Sequence, residues 1–556
     1  MNSPRILFAC FLLAALGCTG PITEQNTTSE QYDLVISGGR VMDPETNFDA
    51  VRNVGVKDGK IAIITEEALK GKETIDAKGL VVAPGFIDGH QHCLEPYAYN
   101  LMLRDGRTTI LDLEIGAFGP KVGEFYAARE GKAPLNFGVA AAHEFARASV
   151  LDGFSDWKYL NTPDAIYSRQ SPGWSKTRPN LEQGNEILAL LDEGLRQGAI
   201  GIGSTVGYMR EGVSTREIFE LQKLAGLYGR QMGMHFRGTP GNDVAEVNGI
   251  QEMLANAAAL GSPAIACHFN NPGYNLVHEL LVLMRERGYN VWGEVYPYRA
   301  GSTALNAVFL EPEVWVKSLG YKYEETVQDV ATLEYYTEES RKEMLKKEPT
   351  RAVIVYKMPA DAVADWLRMP GVAIGSDGMP LIPDTGLDRN TAFDDLPNTH
   401  PRFAGAFAKT LRFGQDNDIP LMQLVSMTAY NYAKPLGEMG LKSMQVRGRM
   451  QEGMVADITI FSAEKVKDNA TYENGTQPST GIPYVLVNGV IVVKDSKTMP
   501  DNVNPGQAIR FEPVAESKLV PLSIDSWNKE FYVIPDDFGG ASMKCCDFAD
   551  VEGHKH

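Results

Sequence analysis

The sequence PGFIDGHQH at residues 84–92 constrains the fold more than any other part of the chain. It follows an apolar run at residues 80–82 that is typical of a buried parallel strand, and Pro84-Gly85 predicts a bend just before it. Alternate side chains of an extended strand share a face, so His90 and His92 project to the same side, about 7 Å apart. The stretch predicts a strand end that offers two imidazoles to one metal ion. An edge strand that carries two histidines by chance is the alternative.

The distribution of strand and helix patterns along the 556 residues indicates two kinds of structure. Short strands separated by Gly, Asn and Asp turns fill residues 32–78 and return at residues 456–461 and 484–493. Between them strands alternate with helices, and we expect strands at residues 108–113, 199–203, 231–236, 264–269 and 290–296 and helices at residues 185–197, 215–228, 243–260 and 275–287. Ser214 and Glu217 predict a capping box for the second of these helices. The sequence therefore predicts an α/β protein, a TIM-like (β/α)8 barrel with a small β-sandwich domain built from both termini.

The domain boundaries follow from the same patterns. We expect the first part of the β-sandwich at residues 32–83 and the barrel at residues 84–446. A charged and aromatic insertion at about residues 300–350 interrupts the alternation of strands and helices and is placed to cover the site. The second part of the sandwich is predicted at residues 447–515, followed by a C-terminal extension at residues 516–556.

The N-terminus has the features of an export signal. Arg5 precedes an apolar run at residues 6–16. Residues 15–18 read ALGC, which is similar to a bacterial lipobox. We expect a signal peptide at residues 1–17, a lipidated Cys18, a tether at residues 18–31, and a bacterial protein that is periplasmic or membrane-anchored through that lipid alone. Ordinary cleavage to a soluble periplasmic protein is the alternative. The net charge of −18 argues against a nucleic-acid partner.

Three further residues with metal-binding side chains end predicted strands. His235 and His268 each close an apolar run, and Asp377 follows the run at residues 372–376. A single histidine in such a position is usually a core residue, but four at matching strand ends are difficult to explain by packing. A carboxylate in a buried strand is costly unless a cation compensates it. Because the carboxyl ends of barrel strands meet at one face, these residues are candidate metal ligands.

Taken together, these motifs resemble the amidohydrolase superfamily, and within it the D-aminoacylase or N-acyl-D-amino-acid deacylase group. The resemblance extends over nearly the whole chain after residue 38 and also rests on the GSDG sequence at residues 375–378, His400-Pro401-Arg402, Arg447-Gly448 and residues 452–457. It implies a metal-dependent hydrolase acting on carbon–nitrogen bonds of linear amides, with N-acyl-D-amino acids as substrates.

The resemblance also implies a set of metal ligands. One or two divalent ions, zinc by preference, would be held by His90, His92, Glu114, His235, His268 and Asp377. Relatives usually carry Gly-x-Cys-Gly after the second strand, whereas DLEIG at residues 112–116 places Glu114 at the Cys position; a carboxylate ligates or bridges divalent ions but is a harder ligand than thiolate. Such ions acidify bound water and polarise the amide carbonyl. Asp377 would take a proton from the attacking water and pass it to the departing amine.

The resemblance also implies which residues contact the substrate. Arg402 is expected to bind the substrate carboxylate, Tyr208 to assist it, and His143 to contact substrate or to support a neighbouring site residue. Asn270 stands where relatives often have a Lys that faces the substrate, so that charge is missing here. Cys267 is expected to face away from the site because His268 faces into it.

Three other functions are consistent with parts of this pattern. A cyclic amidase similar to dihydroorotase or hydantoinase would need a carboxylated Lys at a mid-barrel strand end, and no Lys occupies a matching position. An exported metallo-dipeptidase would use Glu114 as a bridging carboxylate. A lipoprotein that only binds its ligand would be expected to have lost Asp377 or one of the four histidines, and all are present.

Overall fold

The computed structural model of the protein describes residues 31–238, 249–379 and 386–525. The predicted signal peptide, Cys18 and nearly all of the tether lie outside the described residues, as do residues 526–556 and the first part of the helix predicted at residues 243–260. Among the described helices, none combines the length and the apolar character needed to cross a membrane.

The N-terminal part of the β-domain consists of five strands. These strands are β1 Gln31–Asp43, β2 Phe48–Lys57, β3 Lys60–Thr65, β4 Lys70–Asp76 and β5 Val81–Pro84. β1 pairs antiparallel with β2 and parallel with both β4 and β5. Alternate apolar side chains, among them Ile36 and Val54, pack into a core separate from that of the barrel.

Seven strands then form most of the barrel. They are β6 Phe86–Asp88, β7 Arg107–Ala117, β8 Asn136–Ala142, β9 Gly201–Ser204, β10 Gln231–Met234, β11 Ala264–Ala266 and β12 Val291–Val295. Every neighbouring pair is parallel, with Met232 opposite Ala264 and Ile265 opposite Trp292. The strands are buried on both faces, which explains why most of their residues are apolar and do not alternate with polar ones.

The insertion forms a small antiparallel sheet of its own. Its strands are β13 Ala300–Ala304, β14 Val327–Asp329 and β15 Ala352–Tyr356, and Gly301 lies opposite Val355. Trp315, Tyr323 and Val353 belong to the core of this sheet. Because β15 pairs with both other strands, the insertion extends through residue 356 rather than ending near residue 350.

The barrel closes at its last strand, β16 Ala373–Ile374, which pairs parallel with β12. Just beyond it, the Asp377 amide donates a hydrogen bond of 2.7 Å to the His90 carbonyl, and the His92 amide donates one of 3.0 Å to the Gly378 carbonyl. Within the described residues eight parallel strands thus surround one core, and the predicted (β/α)8 barrel is confirmed.

Helices cover the outside of the barrel, and two of them belong to the insertion. Their bounds are α1 Pro96–Arg104, α2 Val122–Arg129, α3 His143–Asp152, α4 Ala165–Ser168, α5 Gly173–Lys176, α6 Leu181–Arg196, α7 Thr215–Leu227, α8 Gly249–Leu260, α9 Tyr274–Glu286, α10 Tyr323–Thr326, α11 Glu338–Lys347, α12 Ala362–Arg368, α13 Arg402–Asp416, α14 Leu421–Val425, α15 Asn431–Glu438 and α16 Lys442–Gln445. As predicted, the Ser214 hydroxyl caps α7 by accepting from the Glu217 amide at 3.1 Å. The Glu217 carboxylate lies against His143 and Arg147.

The C-terminal strands complete the β-domain. β17 Ile458–Phe461 pairs with β5, and β18 Tyr484–Val487, β19 Val490–Lys494 and β20 Lys497–Thr498 follow in order, so both termini share one sheet of nine described strands. The chain then returns to the barrel, where the Ile509 amide donates to the Phe137 carbonyl at 2.7 Å. The second part of the β-domain therefore ends before residue 515.

Buried Asp457 joins the β-domain to the barrel. Its carboxylate accepts from Arg447 Nε at 2.8 Å, from Asn136 Nδ2 of β8 at 2.9 Å and from the Asn488 amide at 2.6 Å. This network explains the Arg447-Gly448 and Ala456-Asp457 motifs as structural, because removing one partner of a buried ion pair leaves the other uncompensated.

Candidate metal centre

Four metal-binding atoms converge where the barrel closes. Glu114 Oε2 lies 2.8 Å from His90 Nε2 and 3.1 Å from His92 Nε2, and the two nitrogens are 3.0 Å apart. Asp377 Oδ1 lies 3.6 Å and 3.4 Å from the same nitrogens. Ligand atoms of a tetrahedral zinc site, with bonds of about 2.0–2.1 Å, stand about 3.4 Å from one another. These four atoms surround a space suited to one divalent cation.

A second group shares Glu114 with the first. Its other oxygen, Oε1, lies 2.9 Å from His235 Nδ1 and 3.0 Å from His268 Nε2. The structure thus brings together all six residues predicted as ligands, and Glu114 supplies one oxygen to each group. This arrangement offers places for one ion or two.

Unusual backbone geometry aims three of these side chains. His268 and Asp377, each just after a barrel strand, have φ of +28° and +49°, which costs non-glycine residues about 1–3 kcal/mol. The register of β7 against β8 shifts between Asp112 and Ala117, the stretch that carries Glu114. Such a bulge redirects a side chain, and Gly116 at φ +93° allows it.

Other carboxylates fix the first two histidine rings. Glu294 of β12 pairs with His90 Nδ1 and accepts from the Tyr432 hydroxyl. Asp112 pairs with His92 Nδ1 at 3.2 Å. Partners of this kind orient metal-binding imidazoles and raise their basicity. Glu294 was not predicted from the sequence, although it shares with Asp377 the feature of a carboxylate in a buried apolar strand.

The electrostatics of the centre favour a cation. Burial alone would lower the pKa of His90, but the charges of Glu294, Glu114 and Asp377 raise it well above its ordinary value. Burial alone would raise the pKa of Glu114, but His90 and His268 hold it well below its ordinary value. Burial and the nearby His268 lower the pKa of His235 to about 4, so this ring is neutral, as a ligand must be. Carboxylates that stabilise a proton on His90 equally stabilise a divalent ion, so the residues present fit a metal.

An open cavity leads to these groups. His92, Glu114, His235, His268 and Asp377 line it at one end. The insertion contributes an apolar wall formed by Phe309, Val314, Trp315, Leu319 and Val355. The insertion therefore borders the site, as expected.

Two of the three predicted substrate residues line this cavity. Arg402 is buried, with Nη1 2.8 Å from Asp377 Oδ2. The Tyr208 hydroxyl hydrogen-bonds Thr303 Oγ1 at 3.0 Å, and its ring lies 4.8 Å from that of His235. Arg169, which the sequence analysis missed, lies over the Tyr208 ring and is held by Glu144 at 2.6 Å and 2.8 Å.

The third of these residues, His143, does not line the cavity. Its ring nitrogens are each 2.8 Å from a partner, Ser204 Oγ and Glu217 Oε1, and it is fully buried outside the cavity lining. The reason is that His143 begins helix α3, which turns its side chain from the strand end toward α7. The neighbouring Glu144 makes the connection to the cavity, through Arg169.

Asn270 and Cys267 are both buried outside the cavity lining. Asn270 Nδ2 donates to the Tyr296 carbonyl at 3.4 Å. Cys267 packs in an apolar cluster behind the histidines, with its sulfur within 4.8 Å of ligand atoms of His90 and Glu294. It does not line the cavity, in agreement with the expectation that it faces away from the site.

Comparison with known proteins was made on the sequence and on the fold. No family model matches the chain. A curated D-aminoacylase from Alcaligenes xylosoxydans xylosoxydans is 28% identical over 499 residues, covering 84% of this chain and 95% of its own length. The chain is thus similar to the D-aminoacylases over most of its length.

Solved structures agree with this relationship. A D-aminoacylase structure described with a binuclear metal centre matches with a TM-score of 0.68 at 23% identity, covering 86% of this chain and all of its own. The N-acyl-D-glutamate deacylase from Bordetella bronchiseptica, solved with zinc and a phosphonate inhibitor, matches with a TM-score of 0.67 at 23% identity and the same coverage. The fold of the chain is thus that of these two solved structures.

Replacing Glu294 tests the role of the outer carboxylate. We expect Glu294→Gln to weaken metal affinity about 10- to 100-fold, because the amide no longer holds His90 Nδ1 with a charge. Competition with a chromogenic chelator measures this affinity. Glu311→Gln, at an exposed glutamate outside the cavity lining, should match the wild type. Equal affinities for Glu294→Gln and wild type would contradict the role.

Proposed function

We propose that this protein is a metal-dependent hydrolase that deacylates N-acyl-D-amino acids, releasing a carboxylate and a free D-amino acid. The observation that carries the proposal is the placement of Asp377. One of its oxygens faces the first group of metal-binding atoms and the other faces Arg402, at the end of an open cavity. The homology to D-aminoacylase supports the same reaction and the D configuration.

Asp377 is suited to move the proton. Burial alone would raise its pKa, but Arg402 and His90 hold it well below its ordinary value, so the carboxylate is ionised at neutral pH. It accepts a proton from the attacking water, whose oxygen bonds to the acyl carbon. As the carbon–nitrogen bond breaks, Asp377 returns that proton to the departing nitrogen.

The ligand set implies zinc, held by His90, His92, Glu114 and Asp377 and, for a second ion, by Glu114, His235 and His268. When bound, a divalent ion acidifies water and polarises the scissile carbonyl. The zinc in the related deacylase structure supports this choice of metal.

Arg402 and Tyr208 orient the substrate. Arg402 is placed to bind the carboxylate of the amino-acid part, beside the atom that protonates its nitrogen. Burial raises the pKa of Tyr208 to about 12, so its hydroxyl stays protonated and able to donate. The apolar wall of the insertion is placed to accept an apolar side chain of the substrate.

Amine release from N-acetyl and N-formyl D- and L-amino acids, dipeptides and cyclic amides tests the proposal on zinc-loaded protein. We expect turnover of N-acyl-D-amino acids, and a loss of 10²- to 10⁴-fold in Asp377→Asn, because its proton transfer is removed. Metal content is measured in parallel. Asp416→Asn, at an exposed ion pair with Arg412, should retain full activity.

Other results of the amine-release measurement would indicate a different function. Turnover of dipeptides alone would indicate a metallo-dipeptidase, and turnover of cyclic amides alone would indicate a cyclic amidase. Metal binding without turnover of any compound would contradict the deacylase and favour a binding lipoprotein.

We further propose that the protein is exported and anchored through lipidated Cys18. The apolar run at residues 6–16 and the sequence ALGC at residues 15–18 support this. In a bacterial host the wild type should be recovered with membranes, and Cys18→Ala should not be processed to the lipidated form, which immunoblotting of fractions detects. Recovery of wild type in the soluble periplasmic fraction would indicate ordinary cleavage.

A further inference from the structure

Gly301 of the insertion leaves a hollow in the cavity wall. A Cβ atom built on Gly301 would lie 3.0 Å from Tyr296 Oη, 3.8 Å from Arg402 Nη1 and 3.9 Å from Lys357 Cε. Gly301 and these three residues all line the cavity. A side chain at this position would meet Tyr296 Oη, so the glycine keeps the wall clear beside one hydroxyl and the side chains of two cationic residues.

Arg402 has unused hydrogen-bond donors at this hollow. It is 1% exposed, yet its Nε and Nη1 make no hydrogen bond within the described residues, and Nη2 donates only a long one of 3.4 Å to the Ser302 carbonyl. Nη1 is nevertheless ion-paired with Asp377 at 2.8 Å. A buried guanidinium with free donors is costly unless a ligand accepts from it, and an anion is the ligand that suits it.

Lys357 brings the second cation. It follows strand β15, and the Tyr321 hydroxyl donates to its carbonyl at 3.2 Å, which fixes the backbone there. Across the parts of the chain that the structure describes, its ammonium has no hydrogen bond or ion pair. Burial lowers the pKa of Lys357 to about 8, with the charge of Asp377 opposing that change and the charge of Arg402 adding to it. It is therefore mostly protonated at pH 7.

Asn270 and Arg169 do not supply a second positive charge for the substrate carboxylate. Asn270 is neutral and lies outside the cavity lining. Arg169 is already bound to the Glu144 carboxylate through two hydrogen bonds. Because Arg402 is shared with Asp377, a substrate carboxylate bound by Arg402 alone would compete with the proton-transferring group.

We propose that Lys357, the residue directly after the last strand of the insertion, binds the substrate carboxylate together with Arg402 in the hollow at Gly301. The inference rests on the proposed function. It makes Lys357 a specificity-determining residue, which restricts the enzyme to amides whose amine part carries a free carboxylate. It also assigns to the insertion a role in recognition besides bordering the cavity.

Two forms of one substrate separate recognition from structural damage. For the N-acetyl-D-amino acid that the wild type hydrolyses fastest, we expect Lys357→Met to lower kcat/KM about 10- to 100-fold, mainly through KM. On the corresponding carboxamide, which lacks the charge, Lys357→Met should have the same low kcat/KM as the wild type. Lys357→Arg should recover part of the loss, and Lys322→Met, at an exposed insertion lysine paired with Glu325 at 2.7 Å, should change neither rate. Equal losses on both substrates would overturn the proposal.

If the protein is not a deacylase, direct measurement of ligand binding still tests the carboxylate subsite at Lys357. If the wild type hydrolyses no N-acyl amino acid, calorimetry of N-acetyl-D-leucine and its carboxamide on the metal-loaded protein replaces the kinetics. Carboxylate binding that is weakened in Lys357→Met, with carboxamide binding unchanged, would support the subsite although the deacylase is wrong. Absence of binding by the wild type, or equal binding by the variant, would overturn it.

Discussion

The candidate metal centre depends on the contacts of one buried carboxylate, that of Glu114, with four histidines. It lies among four imidazoles and gives one oxygen to His90 and His92 and the other to His235 and His268. Burying an ionised carboxylate costs several kcal/mol unless positive charge compensates it. The barrel provides this compensation by bringing β6, β10 and β11 to the same end, where their histidines meet Glu114. The barrel closes where β16 meets β6, and there the Asp377 amide donates a hydrogen bond to the His90 carbonyl, which brings Asp377 to the same group of residues.

The sequence allowed the barrel and five of the six ligand candidates to be predicted for a simple geometric reason. Parallel strands present their carboxyl ends at one face, so His90, His235, His268 and Asp377, each at the end of an apolar run, had to converge. Glu114 was found only through the resemblance, because its orientation depends on a bulge that no periodicity reveals. The β-domain was recognisable since its strands alternate with turn residues at both ends of the chain.

The residues that escaped prediction depend on contacts between distant parts of the chain. Glu294 meets His90 because β12 and β6 lie on either side of β16, a relation set by barrel closure and not by spacing. Lys357 reaches the cavity because β15 pairs with β13, and the insertion has no sequence pattern that predicts this sheet. His143 lies outside the cavity lining for a local reason. It follows a barrel strand as the ligands do, but a helix begins at that residue and turns the ring away.

The central claim is that Glu114 is a metal ligand shared between two groups of donors. Anomalous diffraction from crystals of the zinc-loaded protein tests it most directly, because the signal locates each ion independently of the protein atoms. The account predicts one or two zinc peaks, each about 2.0–2.2 Å from a Glu114 oxygen, with two peaks on opposite oxygens of the same carboxylate. Zinc bound by the histidines with no Glu114 oxygen within bonding distance would contradict the account.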